Sequence, residues 1–539
     1  MRFMLAASAA ALLLSTSALA QNAGSSGDKP KSLDAIHSEQ MIEQAKSGYA
    51  DAPVDERTVQ TRHSASVGGR TIPYTATAGT LTIRDVAGKP KASIFYTAYT
   101  ADGASSAGRP VMFFYNGGPG SASLWLRMGS FGPMRIQTGN PETIRPAPFN
   151  FGANPDTLLG STDLVFIDAP GTGYSRPLGD AKGSDFYGVD QDADAFSRAI
   201  IRYVTKFGRW DSPKFLFGES YGTTRSGALA YQLQDRGLAL NGVILLSSIM
   251  NYGRRQPGLD RDYLNYLPSY AATAWYHHKM ANAPATVDQA AAEARAFAQG
   301  PYAAALEKGQ TISPEERHSV ALQMSALTGL SPEFIERANL RVDLSRFRKE
   351  LLRSERETIG RYDSRYTGVD PDAAGESPDY DASDTAISGA FIGTLNTYLA
   401  RDLGYQTNMA YRASASEEEG FKWDWNHKAP GARFPLQSPD TALDLAAAMR
   451  QNPYLKVLSL NGWYDMATPF FGTEYDLNHM MLEPAQARNL QFRYYPSGHM
   501  VYLNPDALHS MRLDVERFVY DAVGEARGGT PVAAPRRRH

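Results

Sequence analysis

The chain has 539 residues, of which 42% are hydrophobic and 21% are charged, so its composition is that of an ordinary globular protein. Its formal net charge of −3 argues against nucleic acid or an anionic membrane surface as the main partner. The chain has no cysteine, which excludes disulfides, thiolate metal sites and a cysteine nucleophile. We therefore expect its stability to come from an ordinary hydrophobic core.

The N-terminus has the pattern of a secretory signal peptide. Arg2 precedes an apolar run over 5–14, and the small residues Ala18 and Ala20 form an A-x-A cleavage site. This run is too short to span a bilayer, and no later apolar run reaches the length of about 18 residues that a span needs. We expect cleavage after Ala20 and export of a protein with no stable membrane anchor.

Short stretches rich in Thr, Ile, Val and Tyr follow a polar leader. Glycine-containing turns separate these stretches, which is typical of strands joined by tight turns. The predicted strands are His63–Val67, Ile72–Ala76, Leu81–Asp85 and Ser93–Tyr99, with Gly79 as the turn between the second and the third.

Six wholly apolar runs then alternate with helical segments. Runs that are apolar on both faces suit strands covered by helices on both sides, as in a mainly parallel sheet. The predicted strands are Val111–Tyr115, Leu164–Ile167, Phe215–Phe217, Val243–Leu246, Lys456–Leu460 and Gln491–Tyr495. Ligands of open α/β sheets bind beyond the carboxyl ends of the strands, so we expect the chemistry there.

A largely helical region interrupts this alternation. It contains the predicted helices Val287–Gln299, Pro314–Thr328 and Pro332–Asn339 and a predicted loop from Tyr362 to Asp384. The predicted organisation is a signal peptide (1–20), a flexible leader (21–60), the first part of the α/β fold (61–255), a helical insertion or cap (256–430), the second part of the α/β fold (431–525) and a flexible tail (526–539).

The sequence Gly218-Glu219-Ser220-Tyr221-Gly222 has the G-x-S-x-G pattern of a nucleophile elbow. It follows a predicted strand and precedes a helix-compatible stretch, which is the context that this motif requires. A sharp strand-to-helix turn presents the serine hydroxyl above a helix N-terminus, whose field favours developing negative charge. We therefore predict that Ser220 is a nucleophile.

A serine nucleophile needs a base and an acid that orients the base. In folds that carry the G-x-S-x-G elbow, the three residues occur along the chain in the order Ser, Asp or Glu, His. Asp465 and His499 fit because each follows a predicted strand beyond the insertion. Other candidates fit less well by position: His277, His278, His479, Asp163, Asp168 and Asp476. No spacing resembles a zinc or nucleotide site, so we expect no metal and no cofactor.

Acyl transfer also needs donors for the oxyanion of the tetrahedral intermediate. One is expected to be the backbone N–H of Tyr221, which follows the nucleophile. The other is expected from the glycine-rich loop Asn116-Gly117-Gly118-Pro119-Gly120, which follows a core strand and can approach a ligand closely.

The chain resembles the serine carboxypeptidases of the carboxypeptidase Y type, peptidase family S10. The motifs that carry the resemblance are Asn116–Ser121, Asp168–Ser175, Gly218–Gly222 and Gly498–Val501. It implies an α/β-hydrolase fold, a catalytic triad of Ser220, Asp465 and His499, and oxyanion donors at Gly118 and Tyr221. It also implies that Asn116, Gly117 and Glu219 bind the free C-terminal carboxylate of a peptide substrate.

Two departures from the family pattern qualify this expectation. Ser130 occupies the position where the family usually has a second glutamate, so the carboxyl pair is incomplete, and Arg127 is a candidate for a charged donor in its place. The lack of cysteine sets the chain apart from disulfide-bonded eukaryotic members, which indicates a bacterial branch and a periplasmic or extracellular location.

Three functions follow in order of preference. The first is release of C-terminal amino acids from peptides, the second is an esterase or acyltransferase on the same triad, and the third is a non-catalytic binding protein. The aromatic residues Trp275, Tyr276, Trp423 and Trp425 either line a side-chain pocket or form local core. The sequence does not define the oligomeric state.

Overall fold

A ten-stranded sheet runs through the computed structural model, which describes residues 52–103, 108–418 and 420–526. The predicted signal peptide, most of the leader and the tail beyond residue 526 lie outside the described residues. The strands of the chain are β1 (Thr58–Val67), β2 (Arg70–Arg84), β3 (Pro90–Ala101), β4 (Val111–Tyr115), β5 (Met134–Ile136), β6 (Phe151–Ala153), β7 (Asp163–Ile167), β8 (Arg176–Pro177), β9 (Lys214–Glu219), β10 (Gly242–Leu246), β11 (Glu357–Ile359), β12 (Thr367–Val369), β13 (Lys456–Gly462) and β14 (Leu490–Tyr495).

The sheet is mainly parallel. Its strand order is β1-β2-β3-β7-β4-β9-β10-β13-β14, and β8 pairs with β3. All neighbours from β7 to β14 in this order run parallel, whereas β1, β2 and β3 are antiparallel to their neighbours. The six runs predicted as strands form the six strands of the parallel part, of which the edge strand β14 is largely half-buried.

Helices cover both faces of the sheet. They are α1 (Leu124–Gly129), α2 (Val189–Lys206), α3 (Tyr221–Asp235), α4 (Arg261–Tyr276), α5 (Val287–Phe297), α6 (Ala303–Glu307), α7 (Pro314–Thr328), α8 (Pro332–Arg337), α9 (Leu344–Glu350), α10 (Ala382–Thr385), α11 (Ser388–Thr397), α12 (Ala442–Gln451), α13 (Phe470–Asn478), α14 (Pro484–Ala487) and α15 (Pro505–Ala526). Helices α2, α3 and α12 pack on one face, and α1, α11 and α15 pack on the other.

The fully apolar strands are explained by these two cores. In β4, Met112 and Phe114 join the core under α15, and the alternate residues Phe113 and Tyr115 join the core under α2 and α3. All four side chains are fully buried, and burial of such a side chain contributes about 1.5–3 kcal/mol. A polar residue on either face would therefore be costly, and the alternation of a half-exposed strand does not occur here.

One predicted turn is wrong. Strand β2 runs without a break through Gly79, where the sequence predicted a turn between two strands. A Cβ atom at Gly79 would overlap the carbonyl oxygen of Arg57, which accepts a hydrogen bond from the N–H of Thr80 at 2.8 Å. Glycine is present because another backbone segment approaches this strand closely, and not because the chain turns.

Between β10 and β13 the chain is mainly helical. Prolines at the first turn and serine N-caps begin two of its helices: the Ser313 hydroxyl accepts from the N–H of Glu316 at 3.1 Å, and Ser331 caps α8 in the same way. The predicted loop from Tyr362 to Asp384 contains the short strand β12, which pairs with β11. No helix in the described ranges is long and apolar enough to cross a membrane.

The helical segment has a core of its own that reaches the main sheet. Its aromatic rings stack closely, with 3.9 Å between the centroids of Tyr270 and Phe347. Trp463 and Phe470, which follow β13, belong to the same core. The helical segment therefore packs on the stretch after β13 that contains Asp465.

Candidate active site

Ser220 lies at the sharp turn between β9 and α3. Its backbone has φ 60° and ψ −130°, a conformation that costs a residue with a side chain on the order of 1–3 kcal/mol. A Cβ atom at Gly218 would overlap the carbonyl oxygen of Gly222, and one at Gly222 would lie 2.9 Å from the carbonyl oxygen of Tyr115. Both glycines are thus required by close backbone packing, which holds the serine in this conformation.

His499 and Asp465 form a buried pair beside the elbow. His499 Nδ1 lies 2.8 Å from Asp465 Oδ2, and the two residues follow β14 and β13. Burial alone would lower the pKa of His499, but the charge of Asp465 and its hydrogen bond outweigh this effect and raise the pKa above its ordinary value. Because Nδ1 is engaged by Asp465, Nε2 is the nitrogen left to exchange a proton with a serine.

Thr468 completes the surroundings of this pair and was not predicted. Its hydroxyl donates to Asp465 Oδ2 or to the carbonyl oxygen of Ser247, at 2.8 and 2.9 Å, and lies 3.1 Å from His499 Nδ1. The N–H groups of Ala467 and Thr468 donate to Asp465 Oδ1 at 2.8 and 2.9 Å. Both oxygens of the carboxylate are therefore fixed, and so is the orientation of the imidazole.

The glycine-rich loop after β4 lies directly against the elbow. A Cβ atom at Gly117 would overlap the backbone nitrogen of Tyr221, and Gly118 has a φ of 107°. The N–H of Tyr221 belongs to the first turn of α3, where backbone N–H groups have no acceptor within the helix. This arrangement places the predicted oxyanion donors, Gly118 and Tyr221, on two backbone segments in contact.

A buried arginine of α3 anchors the same loop. Arg225 donates to the carbonyl oxygen of Asn116 at 2.8 Å, and its Nε lies 2.6 Å from Asp192 Oδ2 of α2. The guanidinium also lies 4.1 Å from the ring centroid of Phe196. Charge pairing and ring contacts thus satisfy the arginine, which ties the loop to two helices.

Glu219 is a buried carboxyl next to the nucleophile. Asn116 Nδ2 donates to its Oε2 at 2.8 Å, and the Tyr502 hydroxyl contacts Oε2 at 3.0 Å and Oε1 at 3.3 Å. Burial raises the pKa of Glu219 to about 7, against the opposing effects of His499, Tyr502 and Asn116. The carboxyl can therefore be protonated near neutral pH, which an exposed glutamate cannot.

A cleft of about 340 Å³ brings the predicted residues together. Its wall includes Asn116, Gly117, Gly118, Glu219, Ser220, Tyr221 and His499. Asp465 is not in the wall, but it is hydrogen-bonded to the wall residue His499. Sequence reasoning missed several other wall residues, among them the charged and aromatic side chains of Trp125, Tyr252, Arg255, Arg361, Tyr362 and Asp384. No cluster of potential metal ligands occurs in the part of the chain that the structure describes.

Neither Ser130 nor Arg127 lines this cleft. The Ser130 hydroxyl donates to the carbonyl oxygen of Leu126 at 2.6 Å, within its own helical turn. Arg127 Nη2 pairs with Asp168 at 3.1 Å, and both side chains are fully buried. The interpretation of Arg127 as a donor to the substrate is therefore wrong, because Asp168 uses its charge inside the protein.

The other candidates have structural partners. Of the four aromatic residues, Trp425 lines the cleft, whereas Trp423 packs on Tyr221 with centroids 5.2 Å apart, and the Trp275 ring N–H donates to the carbonyl oxygen of Pro284. Tyr276 packs on Tyr464.

The alternative acid Asp476 accepts hydrogen bonds from the N–H groups of Met250 and Asn251, and no hydrogen bond joins it to His499 in the described residues.

The parallel sheet, the strained serine after β9 and the His–Asp pair after β14 and β13 define an α/β-hydrolase fold. Residues 70–282 match the family Peptidase_S10, described as "Serine carboxypeptidase". A curated relative from Dictyostelium discoideum, "Serine carboxypeptidase S10 family member 1", is 23% identical over 168 residues. This match covers 31% of the chain and 38% of the relative, so the chain spans well under half of that protein.

Two solved structures are similar to this chain at low sequence identity. The structure of Kex1(delta)p, a prohormone-processing carboxypeptidase from Saccharomyces cerevisiae, has 15% identity and a TM-score of 0.48, and the match covers 83% of this chain and 92% of that one. A proline iminopeptidase from Mycobacterium smegmatis has 14% identity and a TM-score of 0.35, and the match covers 83% of this chain and 99% of that one.

The Thr468→Val variant tests whether the hydroxyl of Thr468 orients the His–Asp pair. Loss of one hydrogen bond to a charged group should lower kcat for a simple ester by about tenfold without a comparable rise in KM. The control is Thr473→Val, because the Thr473 hydroxyl is also buried and donates to the carbonyl oxygen of Ser248 at 2.8 Å. Equal kcat values for the two variants would show that Thr468 has no such role.

Proposed function

We propose that the chain is a serine carboxypeptidase that releases C-terminal amino acids from peptides. The observation that carries the proposal is a buried carboxyl, Glu219, in one cleft with Ser220 and His499. A protonated carboxyl can donate a hydrogen bond to the terminal carboxylate of a peptide, whereas an ionised one repels it. The family match over residues 70–282 supports the same activity.

In the proposed reaction the Ser220 hydroxyl attacks the carbonyl carbon of the last peptide bond, and His499 takes its proton. The N–H groups of Gly118 and Tyr221 stabilise the resulting oxyanion. His499 then gives the proton to the leaving amine, and the C–N bond breaks to leave an acyl-enzyme. Water, deprotonated by His499, attacks the ester and releases the shortened peptide, and Ser220 regains its proton.

The terminal carboxylate of the substrate is assigned to Asn116, Gly117 and Glu219. Asn116 is suited to this role because its side chain is fixed at both ends: Nδ2 donates to Glu219, and Oδ1 accepts from the N–H of Leu126 at 3.0 Å. A fixed hydrogen-bonding wall loses little conformational freedom when a substrate binds.

The insertion predicted at 256–430 is proposed to bound the substrate side chains. It contributes Arg361, Tyr362 and Trp425 to the wall of the cleft. Asp384 of the same insertion also lines the cleft. Together with Trp125 from α1, these residues give the cleft large apolar surfaces and charged groups of both signs, and such a wall can select substrates by shape and charge.

An esterase or acyltransferase on the same triad is the second candidate. Ser130 favours this function because it has no carboxyl and its hydroxyl is hydrogen-bonded within its own turn. Among the described residues, Glu219 is then the one carboxyl that contacts Asn116. The two activities differ in one requirement, because only a carboxypeptidase needs a free carboxylate on the substrate.

A substrate panel separates these functions. One N-blocked dipeptide is compared with its C-terminal amide and its methyl ester from about pH 4 to pH 8, in wild type and in Ser220→Ala, and rates are followed by chromatography. The proposal predicts that the free acid is cleaved and its amide is not, with no activity in the variant. Cleavage of the ester and the amide but not of the acid would support the esterase instead.

Glu219 should determine the pH dependence of peptide binding. Its pKa of about 7 is above the ordinary value for a glutamate, so the protonated, binding form is present below pH 7 and is lost as the pH rises through 7. We predict that KM for the free acid rises above pH 7 in wild type and that Glu219→Gln abolishes this rise, because the amide remains a donor. A rise in KM that persists in Glu219→Gln would show that another group is responsible.

Export and a bacterial origin are also proposed. The basic start, the apolar run over 5–14 and the small residues Ala18 and Ala20 support cleavage after Ala20. The absence of cysteine supports the bacterial branch of the family and a periplasmic or extracellular location.

A further inference from the structure

The side chains that contact the Glu219 carboxyl are neutral, and neither is a second carboxyl. Its hydrogen bonds among the described residues come from the Asn116 amide and the Tyr502 hydroxyl. The charged groups that act on it are His499, which lowers its pKa, and Asp465, which raises it. Both of these belong to the neighbouring pair, so Tyr502 and Asn116 are the groups that touch the carboxyl itself.

Tyr502 is held in a fixed position. It lies in the short turn Val501–Leu503, three residues after His499, and its side chain is fully buried. Its ring packs against Gly129, where a Cβ atom would lie 2.7 Å from a ring carbon. Burial and the neighbouring Glu219 raise the pKa of Tyr502 well above 10, so its hydroxyl keeps its proton and donates at every pH of interest.

The two donors act unequally on the two oxygens of Glu219. Oε2 accepts a hydrogen bond from Asn116 and lies 3.0 Å from the Tyr502 hydroxyl, whereas Oε1 lies 3.3 Å from that hydroxyl and has no contact with Asn116. A proton on the carboxyl is therefore best placed on Oε1, which has the weaker hydrogen bond. Donation to the carboxylate favours the ionised form, so a tyrosine opposes the rise in pKa that a second carboxylate would produce.

We infer that Tyr502 is a positioning residue for Glu219, which orients the carboxyl in the cleft and sets the upper pH limit for binding a free peptide carboxylate. This inference rests on the proposed carboxypeptidase function. It assigns to Tyr502, three residues after His499, the role of the missing second glutamate as a partner of Glu219, but with the opposite effect on the protonation of Glu219.

The Tyr502→Phe variant removes the hydroxyl and keeps the ring. Because one donor to the carboxylate is lost, the pH at which kcat/KM for the free-acid dipeptide falls should move up by about one unit. Hydrolysis of the methyl ester should stay within about twofold of wild type, since Glu219 does not bind an ester group. The control is Tyr495→Phe, which removes another buried hydroxyl that donates to a carboxylate, Asp514, at 2.8 Å.

Two further variants protect this test against a simple loss of folding. Site-specific 3-fluorotyrosine at position 502 is nearly isosteric and has a more acidic hydroxyl, so the pH limit should move down. In a Glu219→Gln background neither change at position 502 should move the upper pH limit, because the side chain at position 219 no longer titrates. An unmoved limit in both single variants, or an equal loss of ester and acid activity, would overturn the inference. Failure of wild type to prefer the free acid would instead contradict the proposed function.

Discussion

The site depends on one constraint, the close backbone contact that forces Ser220 into a strained conformation. Gly117, Gly218 and Gly222 lie where a Cβ atom would meet another backbone segment too closely. The strain, on the order of 1–3 kcal/mol, is therefore maintained by the surrounding packing. The same contact brings the loop after β4 against the first turn of α3, so the nucleophile and the oxyanion donors share a single rigid support. Arg225 strengthens this support by holding the carbonyl oxygen of Asn116.

The parallel sheet gives the remaining groups their places. β9, β10, β13 and β14 are consecutive neighbours in the sheet, and Ser220, Asp465 and His499 follow three of them at the same edge. Groups far apart in the chain therefore meet without any long side chain having to reach across. The burial that follows also sets the chemistry, because it raises the pKa of Glu219 to about 7 while the Asp465 charge keeps the pKa of His499 above its ordinary value.

The sequence predicted the fold because apolar strands and strand-end motifs are local patterns. The six parallel strands and the meeting of Ser220 with His499 in one cleft followed from them. The prediction failed where a residue acts over a distance in the chain: Gly79 is a contact glycine, and Arg127 is used by Asp168. Thr468 and Tyr502 were missed because their directions depend on the turns after Asp465 and His499, for which the sequence carries no pattern.

Covalent labelling tests whether Ser220 is a nucleophile activated by His499. Wild-type protein is treated with a fluorophosphonate, and the adduct is located by mass spectrometry of its peptides. We expect one adduct on Ser220, formed much more slowly in His499→Ala and Asp465→Asn because the serine hydroxyl is a weak nucleophile without its base. An adduct on another residue, or labelling of Ser220 at an unchanged rate in both variants, would show that Ser220 is not a nucleophile activated by His499.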